Sequence, residues 1–318
     1  MKTYAIYGVK VQTDCVFGER LTPSFGPPDL VFTCRPKAAL TQRIEELPLL
    51  YESEPLGDLK RRIQLYASGE GEILRFEGIT DYVIGAHRIE CYLRDPDLGF
   101  LIEIQALGIV LAYWLERRGI LALHASGVVI GDTAVGFVAA NKGGKTTLAA
   151  ALLRAGHGLL TDDLLAVEVS AHGVLAHPGY PQMRMWPEDA EYFHGSSENL
   201  ELAHPGFDKR RVRVDEHILG GFHTTSVPLK ALYIPARRVY SSGGAEIELL
   251  PSAAAMQQLL GASFTDLPTK TASSSGHRLR LLAQLLQTVP VRRLSYPEGR
   301  GRLGDVVAAI ENDDARRS

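Results

Sequence analysis

The sequence predicts an α/β protein in which a smaller β-rich part, residues 1–96, precedes a larger domain, residues 97–318. Short apolar runs separated by prolines fill the first part and indicate strands. In the larger domain an apolar strand, a glycine-rich loop and a helix follow one another around Gly144. A short apolar strand then leads into Asp162 and Asp163. This order of strand, loop, helix and strand is typical of a phosphate-binding core.

The first half of the chain is predicted to contain short strands, one helix and then two further strands. Apolar alternation predicts N-terminal strands, with no catalytic constellation among them, at Tyr4–Thr13, Leu30–Cys34, Ile73–Phe76 and Tyr82–Leu93. Helical spacing over Leu98–Arg118 ends in two arginines and Gly119, which is a typical helix stop. Two strands follow at Leu121–Ile130 and Ala134–Ala140, joined by the turn-forming pair Gly131-Asp132.

The second half of the chain carries most of the predicted helices. An alanine- and leucine-rich helix over Thr146–Arg154 precedes a short strand at Gly158–Leu160. The pattern becomes irregular from Val174 onward. Beyond that irregular stretch, apolar spacing predicts strands at Leu229–Ile234 and Val291–Tyr296, and helices at Ser252–Leu260, His277–Thr288 and Leu303–Glu311.

The overall composition is that of an ordinary globular protein. Hydrophobic residues make up 45% of the 318 residues and charged residues 22%, so the chain can bury a sizeable core. The formal net charge is −3, which gives no global attraction to nucleic acid, and we expect no nucleic-acid partner. The densest basic run, Lys209–Arg213, favours a solvated face of a strand or loop.

Cysteine usage and hydropathy both favour a cytoplasmic protein without a membrane partner. The three cysteines, Cys15, Cys34 and Cys91, are odd in number and lack CxxC spacing, so we expect free thiols and neither a zinc site nor a disulfide framework. The stretch Met1–Ala5 lacks the apolar core of a signal peptide. The most apolar region, Leu101–Ile130, is interrupted by charged side chains, which is unlike a membrane span.

The glycine-rich loop carries the strongest chemical signal. The pattern GxxxxGK[ST] is matched by Gly144, Lys145 and Thr146, while Ala139 stands where the first glycine is expected. Such a loop lines a concavity with backbone N–H groups, and the helix that follows adds the positive end of its dipole. Lysine then reaches the outer phosphates and the hydroxyl contacts the metal ion. The predicted nucleotide-binding residues are Asn141, Lys142, Gly143, Gly144, Lys145, Thr146 and Thr147. An ordinary glycine turn before a helix is the alternative.

Asp162 and Asp163 are the candidate carboxylates. A strand after the loop helix brings its carboxyl end beside the loop, where a carboxylate can hold magnesium. Adjacent side chains on an extended chain point in opposite directions, so we expect one carboxylate to face the metal and the other to act as a base. A hydrated turn or a helix cap is the alternative. His124 lies in an apolar strand, where it is either a satisfied core residue or a functional one.

Three stretches together resemble a known family. Leu123-His124-Ala125-Ser126, the loop ending Gly144-Lys145-Thr146, and Arg154–Asp163 resemble the catalytic domain of HPr kinase/phosphorylase. That family has a strand histidine, a phosphate loop and an Arg-Gly-His stretch leading to paired aspartates, in that order. The stretch Pro178–Pro187 is similar to HPr-kinase-related proteins of bacterial peptide-modification gene clusters, including lasso-peptide kinases. The resemblance covers roughly residues 105–310.

The resemblance implies a P-loop kinase core like that of HPr kinase and phosphoenolpyruvate carboxykinase, with a mixed β-sheet. It also implies transfer of the γ-phosphate of ATP to a hydroxyl with Mg²⁺. By position, Lys145 binds phosphate, Asp162 is the base, and His124 lies near the transferred phosphate. Thr146 and Asp163 are the implied metal ligands. Arg184 and Lys209 are second-tier candidates, since a cation beyond the phosphate loop could stabilise charge on the transferred group. The alternative for Arg184 is that its stem packs near Trp186 and its head lies in water.

The expected acceptor is a serine of a peptide or protein. HPr itself is not expected as the acceptor, because a glutamate-containing signature of true HPr kinases does not follow the paired aspartates and the N-terminal part differs from theirs. Two alternatives stay open: a small-molecule hydroxyl kinase on the same scaffold, and a nucleotide-binding assembly factor without transfer activity. The N-terminal part either recognises the acceptor or covers the catalytic sheet and mediates self-association. The ring-like assembly of the parent family implies a homo-oligomer by analogy.

Overall fold

The computed structural model describes residues 1–18, 20–40, 42–55, 61–69, 71–204, 206–215, 219–238, 243–264 and 272–316. The chain divides into two compact units, the first formed by residues 1–118 with 265–278, the second by 119–264 with 279–318. This division differs from the boundary expected at residue 96, because the helical stretch after residue 99 belongs to the first unit. Its Gln105 side chain accepts hydrogen bonds from the buried Tyr82 and Thr80 hydroxyls of the first sheet (2.8 and 2.7 Å).

The first unit contains a nine-stranded sheet, which agrees with the β-rich character predicted for this part of the chain. Its strands are β1 Lys2–Ile6, β2 Val9–Thr13, β3 Thr22–Pro23, β4 Leu30–Pro36, β5 Leu49–Glu52, β6 Ile63–Ser68, β7 Gly71–Phe76, β8 Thr80–Ile84 and β9 Arg88–Leu93. The spatial order is β3-β1-β2-β4-β9-β8-β7-β6-β5, and β4 runs parallel to both of its neighbours. The run predicted as one strand over Tyr4–Thr13 is a hairpin, because Tyr7 and Gly8 adopt positive φ (54° and 80°) and turn the chain.

The helix predicted at Leu98–Arg118 is confirmed, although it is not uniform. It consists of α1 Phe100–Gln105, a π-helical turn Ala106–Val110 and α2 Leu111–Arg117. Gly108 has non-helical torsions within the π-helical turn (φ −102°, ψ −108°). The Tyr7 hydroxyl donates to the Leu107 carbonyl (3.0 Å), which ties this irregular turn to the turn between β1 and β2.

The expectation of free thiols is wrong for two of the three cysteines. Cys15 and Cys34 form a disulfide with their Cα atoms 6.1 Å apart, and only Cys91 is a free, buried thiol. The cause is the parallel pairing of β2 with β4, whose register, continued two residues past the end of β2, places Cys15 beside Cys34. An odd number of cysteines does not exclude one bonded pair. The cysteine argument for a reducing cytoplasm therefore falls, and cytoplasmic localisation stays a prediction.

The second unit is built on a mixed eight-stranded sheet. Its strands are β10 Ile120–Ile130, β11 Thr133–Val138, β12 Gly158–Thr161, β13 Leu164–Ser170, β14 Gly173–His177, β18 Val227–Arg238, β19 Glu246–Leu249 and β20 Val291–Pro297. The order is β11-β10-β13-β14-β18-β20-β19, and β12 pairs with β10. β18 runs parallel to both β11 and β20, whereas the other pairs are antiparallel. The predicted mixed sheet is confirmed.

A second, three-stranded sheet interrupts this unit. It has the order β15-β17-β16 and consists of β15 Gln182–Met185, β16 Leu202–His204 and β17 Phe207–Arg213. The stretch after Val174 shows no regular pattern in the sequence, because β15 and β16 are only four and three residues long. The basic run Lys209–Arg213, expected on a solvated strand or loop, lies on β17, where Arg213 is exposed and the three residues Lys209–Arg211 are half-buried.

Helices cover both faces of the eight-stranded sheet. They are α3 Lys145–Arg154, α4 Pro187–His194, α5 Ser252–Gly261, α6 Ala272–Thr288 and α7 Leu303–Ala315. Leu152 of α3 and Ile310 of α7 pack with Phe137 on one side of the sheet. Leu259 of α5 and Leu282 of α6 belong to the core on the other side. This layering establishes the predicted α/β class. Within the described residues, no helix combines the length and apolar character needed to cross a bilayer.

Candidate active site

The 139–144 loop connects β11 to α3, and its backbone accommodates Ala139 at the position where a glycine was expected. Lys142 and Gly144 both adopt left-handed torsions (φ 62° and 90°), which turn the chain directly into the helix. A Cβ atom on Gly143 would lie 2.5 Å from the Ala139 Cβ and 2.9 Å from the Ala140 carbonyl oxygen. Ala139 therefore fits in place of the expected glycine because Gly143 has no side chain.

A pocket of about 640 Å³ opens in front of this loop, within the second unit. All the predicted nucleotide-binding residues line it: Asn141, Lys142, Gly143, Gly144, Lys145, Thr146 and Thr147. His124, Asp163 and Arg184 line the pocket too, whereas Asp162 lies behind its wall. The structure thus brings the sequence-predicted residues to one place.

Lys145 is buried and donates three hydrogen bonds. Its ammonium group lies 2.8 Å from the Ala139 carbonyl oxygen, 3.2 Å from the Ala140 carbonyl oxygen and 3.0 Å from Nε2 of His124. These three acceptors account for all three ammonium protons. Burial lowers the pKa of the Lys145 side chain, against the opposing effect of Asp163 and Asp162. A phosphate bound in the pocket would have to replace at least one of these acceptors.

His124 is neutral in this arrangement. Its Nε2 can accept from the Lys145 ammonium only when it carries no proton, so the ring proton lies on Nδ1. Nδ1 lies 3.1 Å from the main-chain oxygen of Asp163 and 3.3 Å from its Oδ1. Burial lowers the pKa of His124, which favours the same neutral form. His124 thus connects the lysine of the loop to the second aspartate.

Asp162 is 6% exposed and accepts from several donors. Its Oδ1 lies 2.6 Å from the Ser126 hydroxyl and 3.1 Å from the Thr146 hydroxyl, and its Oδ2 accepts from the Arg184 backbone N–H (3.0 Å). Buried carboxylates require this degree of hydrogen bonding. Both oxygens are therefore occupied, and Asp162 fixes the position of the Thr146 hydroxyl rather than facing the pocket.

Asp163 faces the pocket because of a local turn. Its φ is 76°, so the pair does not lie on the extended chain that the sequence argument assumed. Its Oδ1 lies 3.3 Å from His124 Nδ1 and its Oδ2 3.5 Å from a guanidinium nitrogen of Arg184. The two carboxylates do have different surroundings, as expected. Asp163 lies at the pocket, and Asp162 lies beside Thr146.

Several site residues were not found from the sequence. Ser126 donates to Asp162, and the Tyr180 hydroxyl accepts from Arg184 (3.1 Å). The Trp186 ring lies under two ammonium groups, those of Lys142 at 5.0 Å and Lys209 at 5.6 Å from the ring centroid. Ser126 follows His124 by two residues and so shares its strand face, a signal that could have identified it. Trp186 and Tyr180 lie within the stretch that carried the second resemblance.

One wall of the pocket contains a buried carboxylate, that of Asp189. Asp189 accepts from the Thr147 hydroxyl (2.8 Å) through one oxygen and from Arg300 Nε (2.9 Å) through the other. These bonds tie the first turns of α3 and α4 to residue 300. The Tyr296 hydroxyl lies against Gly144, and burial raises the pKa of Tyr296 to about 12, so it is a neutral phenol.

Comparisons with known proteins give little beyond this geometry. No family model matches the chain, and no curated protein matches it. Among solved structures, an Hpr(Ser) kinase/phosphatase from Coxiella burnetii aligns with 61% of this chain and 90% of its own, at 13% identity and a TM-score of 0.33. Similarity at that level identifies neither fold nor function. The functional proposal therefore rests on the geometry of the site.

Proposed function

We propose that this protein is an ATP- and Mg²⁺-dependent kinase that transfers the γ-phosphate to a hydroxyl group. We further propose that this hydroxyl belongs to a serine of a peptide or protein. One observation carries the proposal: Lys145 and Thr146, at the first turn of α3, share a single pocket with Asp163, His124 and Arg184. A helix N-terminus with a lysine and a hydroxyl suits a polyphosphate. A carboxylate facing the same space suits an incoming hydroxyl.

The phosphates of ATP would lie against the 139–144 loop. The backbone N–H groups at the start of a helix have no carbonyl partner within that helix. Those of the first turn of α3 point toward this end of the pocket. Lys145 would give up one loop acceptor and donate to a phosphate oxygen. Lys142 lies over Trp186 and is a second cation within reach of the same space. We assign these two lysines to binding of the transferred and neighbouring phosphates.

The residues present also fit magnesium. Thr146 lines the pocket, and its hydroxyl donates its proton to Asp162 at 3.1 Å, which leaves the hydroxyl lone pairs for a metal ion. Hard oxygen donors of this kind are what Mg²⁺ prefers. When bound, the metal neutralises phosphate charge and orients the phosphates. Because Asp162 already accepts from three groups, it acts by holding the Thr146 hydroxyl in place. We therefore assign Asp162, rather than Asp163, to the metal side.

We assign the base role to Asp163. The acceptor hydroxyl oxygen attacks the γ-phosphorus while the bond from phosphorus to the bridging oxygen breaks, and ADP leaves with that electron pair. The hydroxyl proton moves to the Asp163 carboxylate. Arg184, 3.5 Å from that carboxylate, supplies positive charge beside the transferred group. His124 holds both Asp163 and Lys145 in position.

The test is transfer of label from γ-labelled ATP, with Mg²⁺, into a pool of serine peptides and small polyols. We expect label in the peptides, and its loss in Lys145→Ala. Label in the polyols alone would contradict a serine acceptor and would support a small-molecule hydroxyl kinase instead. ATP binding without label in either class would contradict transfer and favour the nucleotide-binding factor.

A further inference from the structure

The topology of the eight-stranded sheet gives the pocket two sides. β11, which leads into the 139–144 loop, pairs with β10 along one edge and with β18 along the other. His124 lies on β10, and Asp163 follows β12, which also pairs with β10. The base candidate therefore lies on the β10 side of the loop. The carboxyl ends of β18 and of its parallel neighbour β20 lie on the opposite side.

Two residues at the ends of β18 and β20 contact the loop. Arg237 of β18 and Tyr296 of β20 are paired in register, and both line the pocket. A guanidinium nitrogen of Arg237 donates to the Lys142 carbonyl oxygen (2.5 Å). The Tyr296 hydroxyl lies 2.9 Å from the position that a Cβ atom on Gly144 would occupy. These strand ends therefore flank the two residues of the loop that have left-handed torsions.

Glu298 is separated from the loop by one guanidinium group. Its Oε1 lies 3.8 Å from Nη1 of Arg237, while Nη2 of the same arginine donates to the Lys142 carbonyl oxygen. Glu298 lines the pocket with a side chain that is 54% exposed, so a ligand can reach its carboxylate. The positive charge of Arg237 beside it reduces the repulsion that this carboxylate would exert on bound phosphates.

We infer that the ends of β18 and β20 bind the start of the nucleoside, with the Tyr296 hydroxyl donating to a phosphate oxygen beside Gly144 and the Glu298 carboxylate accepting from the ribose hydroxyls. This inference rests on the proposed function and specifies its nucleotide site. With the γ-phosphate at Asp163, a nucleotide that crosses the loop extends toward β18 and β20. Ribose directly follows the phosphates, and its two hydroxyls can both donate to one carboxylate. The pocket, of about 640 Å³, has the size of a small-molecule site.

The test compares the affinities of ATP, 2′,3′-dideoxy-ATP and inorganic tripolyphosphate, measured by calorimetry with Mg²⁺. In the wild type we expect dideoxy-ATP to bind at least about fivefold more weakly than ATP, because it lacks both ribose hydroxyls. Glu298→Gln should weaken ATP binding at least about fivefold and should not weaken tripolyphosphate or dideoxy-ATP. Tyr296→Phe should weaken all three ligands by about threefold or more, because its hydroxyl contacts a phosphate.

Matched variants distinguish ligand contacts from loosening of the sheet. Arg238, the residue after Arg237 on β18, pairs with Glu246 (3.0 Å), and this pair lies outside the pocket lining. Glu246→Gln breaks that comparable ion pair and should leave all three affinities unchanged. Tyr233→Phe removes a hydroxyl of the same sheet that donates to Asp313, and it should leave them unchanged too. Thermal melting of each variant reports any loss of folding.

The outcomes separate the inference from the proposed function. Equal wild-type affinities for ATP and dideoxy-ATP, or equal losses of ATP and tripolyphosphate in Glu298→Gln, would overturn the ribose contact and leave the kinase standing. Unchanged affinities in Tyr296→Phe would overturn the phosphate contact. The expected pattern of affinities without any transfer of label would support the inference and contradict the kinase. Failure of the wild type to bind any of the three ligands would contradict both.

Discussion

At the scale of single residues, the proton on His124 decides how Lys145 is held. Nε2 of His124 accepts from the Lys145 ammonium at 3.0 Å, and this bond exists only while the ring is neutral. Protonation would place two cations in contact. Burial already lowers the pKa of His124 below its usual 6.5, so the folded protein binds this proton less readily than the unfolded chain does.

This asymmetry predicts a loss of stability in acid. The contribution of His124 is fully present above the unfolded pKa of 6.5 and is lost as pH falls through the lowered folded pKa. His177 and His204 also have pKa values lowered by burial, so the effect of His124 is isolated by comparison with His124→Gln. We expect the difference in melting temperature between wild type and variant to shrink from pH 7.5 to pH 5. A difference that stays constant would contradict a neutral His124.

A second residue-scale prediction concerns the packing of Ala139 on Gly143. Gly143→Ala would force a Cβ to 2.5 Å from that of Ala139, so we expect ATP affinity to fall about tenfold or more, measured by calorimetry. Ala139→Gly in the same chain should restore part of the affinity, because it removes one of the two close contacts. Gly304→Ala, where a Cβ meets nothing within 4 Å, is the matched control. An unaffected Gly143→Ala variant would disprove the packing argument.

At the scale of elements, the bonds of Asp189 join the first turns of α3 and α4 to residue 300. Asp189→Asn should lower the free energy of unfolding by about 1–3 kcal/mol, because Arg300 and Thr147 lose their charged acceptor. Asp305→Asn, which breaks an exposed pair with Arg302, should change it by less than about 1 kcal/mol. Chemical denaturation measures both. Equal effects of the two variants would show that Asp189 does not connect these elements.

The elements around the site were largely predictable because each has a strong local signal. The loop and α3 follow from Gly144, Lys145 and the alanine-rich stretch, and the hairpin of β10 with β11 follows from Gly131-Asp132. The placement of the paired aspartates was not predictable. It depends on the positive φ of Asp163, which is uncommon for a non-glycine residue and which the local sequence does not specify.

At the scale of the whole molecule, the α/β class and the mixed sheet could be predicted, whereas long-range pairings could not. The three-stranded sheet escaped detection because β15 and β16 are only a few residues long. The disulfide depends on the parallel register of β2 with β4, which no local pattern encodes. The basic run on β17 was found as a charge pattern, yet its place beside the pocket follows only from the pairing with β15. Self-association stays a prediction.

The most direct measurement compares transfer and nucleotide binding in Asp163→Asn. Single-turnover transfer from ATP to a serine peptide would be followed beside ATP affinity in the same protein, with Asp162→Asn as the paired variant. A general base contributes about 100- to 10,000-fold, so we predict that Asp163→Asn slows transfer by at least about 100-fold while binding ATP nearly as wild type does. Asp162→Asn should instead raise the Mg²⁺ concentration required. Transfer by Asp163→Asn at the wild-type rate would contradict the account.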